Sequence, residues 1–401
     1  MGRKRLLSSG IDSSTPSGSS SHISIVGAGV FGAWTAHHLL RAGDRVTLID
    51  SYGPAHARAS SGDETRMIRG AYGKDSLYTR MALNALPDWK KLSNSSGLPI
   101  FIPSGVLYFF RSEEPYFLDS RAAHSELGIP SETLTRQEMQ RRFPMIDFDG
   151  ANYGLFEPGF GTLLARRAVQ TLVASFVRDG GTYFQAEAIP VSPGSGPLTQ
   201  LALSNGEAVE ADCFIFAAGS WLPKLFPALL GRRIVATRQE VFYFAPPAGD
   251  PRFLPSAMPC WSDFNGGDMF YGFPDIESRG VKFAHDKHGP ATDPDTQDRR
   301  PSEAALAQVI AFRDRRFPLL KGAPLTESRV CQYENSSDGD FLIDFHPDHP
   351  NVLLVGGGSG HGFKHGPEVG RYAASQVTGG EQSEPRFSLA TKTETHNREV
   401  H

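Results

Sequence analysis

Residues 23–50 carry the sequence feature that most constrains the fold: an apolar strand, a glycine-rich turn, an amphipathic helix and a second apolar strand. The turn has the pattern G-x-G-x-x-G, and the second strand ends on an acidic residue 18 positions after the third glycine. Such glycines permit a tight turn, close approach of the backbone to a pyrophosphate and close helix–strand packing, and the helix N-terminus favours phosphate. An acidic residue at this spacing can bind a ribose hydroxyl. The predicted dinucleotide contacts are Gly27, Gly29, Val30, Phe31, Gly32 and Asp50.

Composition limits the function classes. The chain has 401 residues, of which 39% are hydrophobic and 21% charged, as in a soluble globular enzyme. The net charge of −4 gives no reason to expect nucleic acid or an anionic membrane as a partner, and no apolar run is long enough for a membrane span. Three cysteines are too few and too odd for a secreted disulfide framework. We expect a cytoplasmic protein, and we expect it to be a monomer.

The order of elements predicts two interleaved domains. One is a Rossmann-like α/β domain that binds the dinucleotide, and the other is an α+β substrate domain with a mostly antiparallel sheet. The basic, serine-rich N-terminus predicts a disordered tail, with an organellar transit peptide as the alternative. The predicted segments are a tail at 1–21, the dinucleotide domain at 22–97, 151–230 and 323–385, the substrate domain at 98–150 and 231–322, and a second disordered tail at 386–401.

Two arginines in the polar segment after the second strand are candidate ligand contacts. Arg66 and Arg69 are three residues apart, and if TRMIR begins a helix they lie on one face. Two guanidinium groups can hold a carboxylate or a phosphate. Solvated or salt-bridged surface arginines are the alternative.

Two further turns are candidate cofactor contacts. The segment ADCFIFAAGSW, residues 211–221, predicts a buried strand that runs into a turn of small residues, where a cofactor can lie against the backbone. A strand at 352–355 runs into a glycine-rich loop and a helix near Phe363, which repeats the first arrangement. His346 and His349 lack a third ligand at a known spacing, so we predict no metal site. The contacts expected from these turns are Ala218, Gly219, Trp221, Gly358, Gly360, His361 and Gly362.

Several motifs point to one family. Residues 331–364 contain Cys-x-Tyr, then Asp-Phe-Leu-Ile-Asp, His-Pro and Ser-Gly-His-Gly-Phe-Lys, and SSGDETRMIRGAYG, FEPGFG and YGFP precede them. Together they resemble monomeric sarcosine oxidase and its relatives, which include pipecolate oxidase, N-methyltryptophan oxidase and, more distantly, the fructosyl-amino-acid oxidases. The resemblance extends from residue 22 to about residue 385. It implies an FAD enzyme with a D-amino-acid-oxidase-like fold that oxidises a secondary or N-substituted amino acid. Hydride would pass to flavin N5, and oxygen would be reduced to hydrogen peroxide.

The resemblance also implies roles for single residues. Arg69 and Lys364 match the pair that binds the substrate carboxylate. Arg66 matches an arginine near the flavin and the reacting amine, and Tyr333 matches an active-site tyrosine. Lys282 matches the lysine over the flavin that assists the reaction with oxygen.

Cys331 matches the cysteine that holds the flavin 8-methyl group through a thioether, so the FAD is expected to be covalent through this residue. The sequence departs from the family pattern at Gly62 and at Asp286, where the family has histidines. His285, adjacent to Asp286, is therefore a further catalytic candidate. Contacts to the FAD are also expected from Ser61, Arg66 and Lys364.

Alternatives to an oxidase of N-substituted amino acids stay open. A fructosyl-amino-acid oxidase belongs to the same set of relatives. A dehydrogenase that passes electrons to another acceptor is the expectation if Lys282 does not lie over the flavin. An accessory FAD-binding protein is disfavoured because a binding module needs no carboxylate clamp.

Overall fold

The computed structural model describes residues 21–265, 269–380 and 383–396, so all of the predicted tail at 1–21 except its last residue lies outside the described residues. None of the helices in these ranges has the length and apolar character to cross a membrane. The helices are α1 Val30–Ala42, α2 Ser76–Ser96, α3 Pro115–Leu127, α4 Arg136–Arg142, α5 Ala165–Arg178, α6 Leu222–Leu225, α7 Pro227–Leu230, α8 Glu303–Arg316 and α9 Gly366–Thr378. The strands are β1 His22–Val26, β2 Arg45–Asp50, β3 Thr65–Ile68, β4 Phe101–Ile102, β5 Val106–Phe110, β6 Glu132–Thr135, β7 Tyr153–Glu157, β8 Gly161–Leu164, β9 Thr182–Gln185, β10 Gln200–Ala202, β11 Ala208–Glu210, β12 Cys213–Phe216, β13 Ile234–Phe244, β14 Cys260–Asp263, β15 Met269–Phe273, β16 Val281–Asp286, β17 Leu325–Ser336, β18 Leu342–Phe345 and β19 Val352–Gly356.

The first sheet has six strands in the order β18-β19-β12-β1-β2-β9. All its pairs are parallel except β18–β19. β1 occupies an interior position in this sheet, and its apolar side chains are buried on both faces. Burial on both faces is usual for strands of parallel sheets. α1 ends at Gly43, which has a left-handed φ of 100° and donates its N–H to the last turn of the helix. The predicted strand–turn–helix–strand unit is confirmed.

The second sheet has eight strands in the order β17-β13-β16-β15-β14-β5-β7-β6. Its pairs are antiparallel except β5–β14, which matches the predicted mostly antiparallel sheet. Residues 325–336 and 153–157 belong to this sheet, although we assigned both segments to the dinucleotide domain. β17 pairs with β13 from Leu325 to Ser336, and this long-range pairing is not visible in the local pattern of either strand.

A third, three-stranded sheet in the order β3-β8-β4 corrects two local predictions. The TRMI segment is strand β3 and not the start of a helix, and it pairs antiparallel with β8. The apolar periodicity of residues 162–179, followed by two glycines, predicts a helix from residue 162, but α5 begins only at Ala165 because the preceding residues form β8. Arg66 and Arg69 are therefore positioned by a strand and the turn that follows it.

The C-terminal segment corrects a third prediction. We expected residues 386–401 to be a disordered tail, but residues 386–396 pack against the fold, and 397–401 lie outside the described residues. Phe387 is 2% exposed and packs against aromatic rings, and Arg386 forms ion pairs with Asp75 and Asp340 at 2.6 Å. One buried aromatic residue within a polar stretch thus fixes a segment whose average composition predicts disorder.

Candidate active site

The turn between β1 and α1 opens onto a cavity, here called the nucleotide cavity. Asp50 lies at its edge, where its carboxylate accepts hydrogen bonds from the backbone N–H groups of Ala28 at 2.8 Å and Gly53 at 2.8 Å. Most of the predicted cofactor contacts meet here. Those that line the nucleotide cavity are Gly27, Gly29, Val30, Phe31, Asp50, Ser61, Arg66, Ala218, Gly219, Trp221, Gly358, Gly360 and Gly362.

The glycines of the turn divide into two groups. A Cβ at Gly27 or Gly32 would overlap backbone oxygen atoms, so the fold itself requires these two glycines. A Cβ at Gly29 would meet only the Ser61 hydroxyl, at 3.7 Å, so the protein has room there. The bare backbone at Gly29 instead leaves space for a ligand, and α1 starts with no side-chain cap and no acidic residue in its first turn. These residues fit the pyrophosphate of the FAD that the family resemblance implies.

A second cavity, here called the clamp cavity, adjoins the first. The two cavities share part of their walls. Strand β17 contributes alternate side chains to them, since Cys331 lines the clamp cavity, Glu334 lines the nucleotide cavity and Tyr333 lines both. The residues common to both cavities are Arg66, Tyr333, Gly360 and Phe363.

Arg69 and Lys364 are brought together in the clamp cavity around Tyr72. The guanidinium of Arg69 lies 4.1 Å from the centre of the Tyr72 ring and donates to the Tyr116 hydroxyl at 3.1 Å. The Lys364 ammonium donates to the Tyr72 hydroxyl at 2.8 Å. Burial and the nearby Lys364 charge lower the pKa of His365 well below its usual value, so a neutral His365 can accept the Tyr72 proton across 2.8 Å. Both cations are thereby held with their charges beside the cavity.

Tyr333 and Asp286 form the opposite wall of the clamp cavity. The Tyr333 hydroxyl donates to the Asp286 carboxylate at 3.0 Å. Burial, followed by the Asp286 charge, raises the pKa of Tyr333 well above its usual value, so Tyr333 stays protonated. His285 is not brought to this site. Successive residues of β16 point to opposite faces, so His285 stacks on Phe270 with ring centres 4.3 Å apart while Asp286 faces the cavity.

Lys282 is buried at 1% exposure behind Asp63, and the two side chains form an ion pair. Asp63 also accepts from Arg66 at 2.7 Å, and the Lys282 ammonium donates to the Thr65 hydroxyl at 3.2 Å. Burial alone would raise the pKa of Asp63, but Lys282 and Arg66 hold it well below its usual range. Asp63 and Arg66 line the clamp cavity, whereas Lys282 lines a separate cavity. Asp63 thus compensates part of the positive charge of Lys282 at the clamp cavity.

Cys331 is buried in the wall of the clamp cavity. Its sulfur lies 3.8 Å from a guanidinium nitrogen of Arg66, one of the residues that both cavities share. This places a thiol at the junction of the two cavities, where the resemblance expects the flavin link. Among the described residues, no group of three or more His, Cys, Asp or Glu side chains could hold a metal ion.

Sequence reasoning missed four residues of the site: Asp63, Tyr72, Glu334 and His365. Asp63 and Tyr72 lie within the quoted segment 60–73, each three residues from an arginine, so the spacing offered a signal. Glu334 and His365 directly follow predicted site residues in the chain. Their burial depends on the pairing of β17 and on the packing of α9, which no local pattern reveals.

Both the sequence and the fold of this chain are similar to those of known proteins. A sequence model described as FAD dependent oxidoreductase matches residues 22–376. The chain is 30% identical over 361 residues to a monomeric sarcosine oxidase from Bacillus sp., covering 86% of this chain and 89% of that protein. It is 30% identical over 374 residues to an N-methyl-L-tryptophan oxidase from Citrobacter koseri, covering 91% and 96% of the two chains. The crystal structure of L-proline dehydrogenase from P. horikoshii matches with a TM-score of 0.80 at 20% identity, over 92% of this chain and 97% of the other, which indicates a shared fold.

Proposed function

This chain belongs to the FAD dependent oxidoreductase family, and on that premise we propose that it is an oxidase of secondary or N-substituted amino acids. The substrate class comprises sarcosine-like amines, larger N-methyl amino acids and cyclic imino acids. The observation that carries the proposal is the pair of buried cations, Arg69 and Lys364, in a cavity that adjoins the nucleotide cavity. The names of the two relatives at 30% identity support the same class.

The clamp cavity selects an amine that carries a carboxylate. Arg69 and Lys364 can each donate a charge-assisted hydrogen bond to one carboxylate, and such bonds are shorter and stronger than neutral ones. Holding the carboxylate fixes the rest of the amino acid against the shared wall of Arg66 and Tyr333, which makes the reaction effectively unimolecular. A cavity that served only to bind FAD would not need these two cations.

The residues around the clamp cavity also set the protonation state of the substrate. The charges of Arg66, Arg69 and Lys364 disfavour a nearby ammonium, so they favour the neutral amine that can give up hydride. Bound FAD supplies the two-electron chemistry: it accepts hydride from the substrate and delivers electrons to oxygen. Tyr333 stays protonated and keeps its hydroxyl fixed on Asp286.

Lys282 supports a second candidate, an FAD-dependent amino acid dehydrogenase. A lysine that assists the reaction with oxygen acts through its positive charge. Here Asp63 pairs with Lys282 and separates it from the clamp cavity, so part of that charge is compensated. Weak reactivity with oxygen would follow if this pair persists when FAD is bound.

The proposal is tested by adding a panel of amines to the purified yellow protein and measuring hydrogen peroxide and oxygen consumption. The panel contains sarcosine, N-methyl amino acids, proline, pipecolate and fructosyl-glycine. We expect peroxide with at least one carboxylate-bearing secondary amine. Turnover only with an artificial electron acceptor would identify the dehydrogenase, and turnover of fructosyl-glycine alone would identify a fructosyl-amino-acid oxidase. No turnover under either condition would leave an accessory FAD-binding protein.

We further propose a thioether between Cys331 and the FAD, a cytoplasmic location and a monomeric state. The position of Cys331 at the junction of the cavities supports the thioether. The three cysteines are all free, which agrees with a reducing compartment. A size measurement in solution tests the monomer.

A further inference from the structure

Glu334 is a buried carboxyl group that the proposed reaction does not use. It lies on β17 in the wall of the nucleotide cavity, directly after Tyr333, and is 6% exposed. Residues of this strand alternate between the two cavities, and the pairing of β17 with β13 fixes the direction of the Glu334 side chain. A carboxyl group in this wall is next to any cofactor that fills the nucleotide cavity.

The surroundings of Glu334 disfavour its ionised form. Among the described residues, its Oε1 atom has no hydrogen-bond partner. A Cβ added at Gly356 would lie 2.5 Å from this oxygen, so the Glu334 carboxyl packs closely over the backbone at Gly356. Two backbone N–H groups, those of Gly357 and Gly358, favour the carboxylate. A buried carboxylate without a cation is costly, and the usual response is to keep the proton.

No charged group within the described ranges reverses this preference. Burial raises the pKa of Glu334 to about 7, and the opposing effect of the two N–H groups is smaller. The position opposite Glu334 on β13 is Ala236, and Ser359 donates its N–H to the Glu334 backbone oxygen at 2.8 Å. The titratable groups on the other walls of the nucleotide cavity are Asp50, His56, Arg66 and Tyr333.

We propose that Glu334 holds a proton beside the bound FAD and that its ionisation is coupled to the redox state of the cofactor. A carboxylate at this position would oppose the arrival of electrons on the FAD, whereas a neutral carboxyl would not. When electrons reach the FAD, Glu334 therefore takes up a proton from solvent or retains the one it has. No electron passes to Glu334, and the substrate remains the electron donor. The inference rests on FAD binding and not on which amine is oxidised.

The test is the midpoint potential of the holoenzyme as a function of pH, compared between the unmodified protein and Glu334→Gln. Glutamine keeps the shape of the side chain and cannot ionise. At about pH 5 we expect equal potentials, because Glu334 is then neutral in both redox states. Towards about pH 9 the midpoint potential of the unmodified protein should fall below that of the variant. The equilibrium constant for FAD reduction should then be about tenfold lower in the unmodified protein, which corresponds to about 30 mV for a two-electron couple.

Two further variants are included, one as a control and one as a second replacement of Glu334. Glu240→Gln removes a carboxylate of the same sheet that is paired with Arg238 at 2.6 Å, and it should behave as the unmodified protein does. Glu334→Met offers a second side chain that cannot titrate, in case the glutamine variant loses FAD. A potential difference between the unmodified protein and both Glu334 variants that is constant over the whole pH range overturns the proposal.

Discussion

At the level of single residues, the clamp cavity holds two buried cations whose observed partners include neutral hydroxyl groups. Arg69 donates to the Tyr116 hydroxyl and Lys364 donates to the Tyr72 hydroxyl, and these contacts orient both cations beside the cavity. Burying a cation costs free energy, and an anionic ligand offsets that cost. This balance is the physical reason why a carboxylate is the group we expect between them.

Replacement of Lys364 by methionine should weaken the binding of the substrate carboxylate. We expect KM to rise and kcat/KM to fall roughly 10- to 100-fold, the range for loss of a charged hydrogen bond. Tyr72→Phe, which removes the hydroxyl partner and keeps the cation, should cost less. Steady-state kinetics with a carboxylate-bearing amine measures both variants, and an unchanged kcat/KM for Lys364→Met would place the carboxylate elsewhere.

Replacement of Cys331 by serine should release the flavin from the polypeptide. We expect acid precipitation to leave yellow protein in the unmodified case and a yellow supernatant for Cys331→Ser. Cys213→Ser is the matched control, because Cys213 lies on β12 away from the clamp cavity, and its flavin should stay in the pellet. Flavin that is already acid-soluble in the unmodified protein would exclude the thioether.

Glu334 should also make stability depend on pH. Its pKa is raised from 4.5 to about 7 on folding, so between these values the folded state binds more protons than the unfolded state. Stability is therefore full below about pH 4.5 and is lost as pH rises to about 7, by about 3 kcal/mol in the free energy of unfolding. Denaturant unfolding of the unmodified protein and of Glu334→Gln at several pH values measures the difference. A difference between their free energies of unfolding that stays constant with pH would contradict the raised pKa of Glu334.

At the level of elements, the glycine turn separates what the fold requires from what the ligand requires. A Cβ at Gly32 collides with the backbone of the turn, whereas a Cβ at Gly29 has space inside the protein. Gly32→Ala should therefore destabilise the protein by several kcal/mol or prevent folding. Gly29→Ala should fold, and without FAD its free energy of unfolding should be nearly that of the unmodified protein. After purification this variant should carry much less FAD. Thermal unfolding and the ratio of flavin to protein absorbance test the two variants. Full flavin content in Gly29→Ala would show that the pyrophosphate does not approach the backbone at residue 29.

The sequence predicted the elements whose signals are local. The β1–α1–β2 unit follows from hydrophobic periodicity and from the glycines of its turn and of the C-terminus of α1. The strand β3 was read as a possible helix start because four residues carry too little pattern, and its conformation is fixed by pairing with β8. His285 was proposed for the site by adjacency to Asp286. The strand period of two, applied from Lys282, would have placed His285 on the opposite face.

At the level of the whole molecule, function depends on the junction of two sheets. The first sheet presents the glycine turn and the loop after β19, and the second presents β16 and β17. β17 carries side chains for both cavities, so the cofactor and substrate sites cannot move independently of this strand. The motif resemblance named several residues that line the two cavities, among them Arg66, Tyr333 and Lys364, but it did not predict the sheet to which β17 belongs, because that depends on contacts far apart in the sequence.

In the proposed reaction, an amino acid held by its carboxylate reduces the FAD of this protein. The most direct measurement is anaerobic mixing of the holoenzyme with an N-methyl amino acid and, separately, with the same amine lacking its carboxylate, while the visible absorbance of the flavin is recorded. We predict rapid bleaching with the amino acid, bleaching at least about 100-fold slower with the decarboxylated amine, and recovery of the colour on admission of air. Equal rates for the two amines, or no bleaching by any carboxylate-bearing secondary amine, would contradict the account.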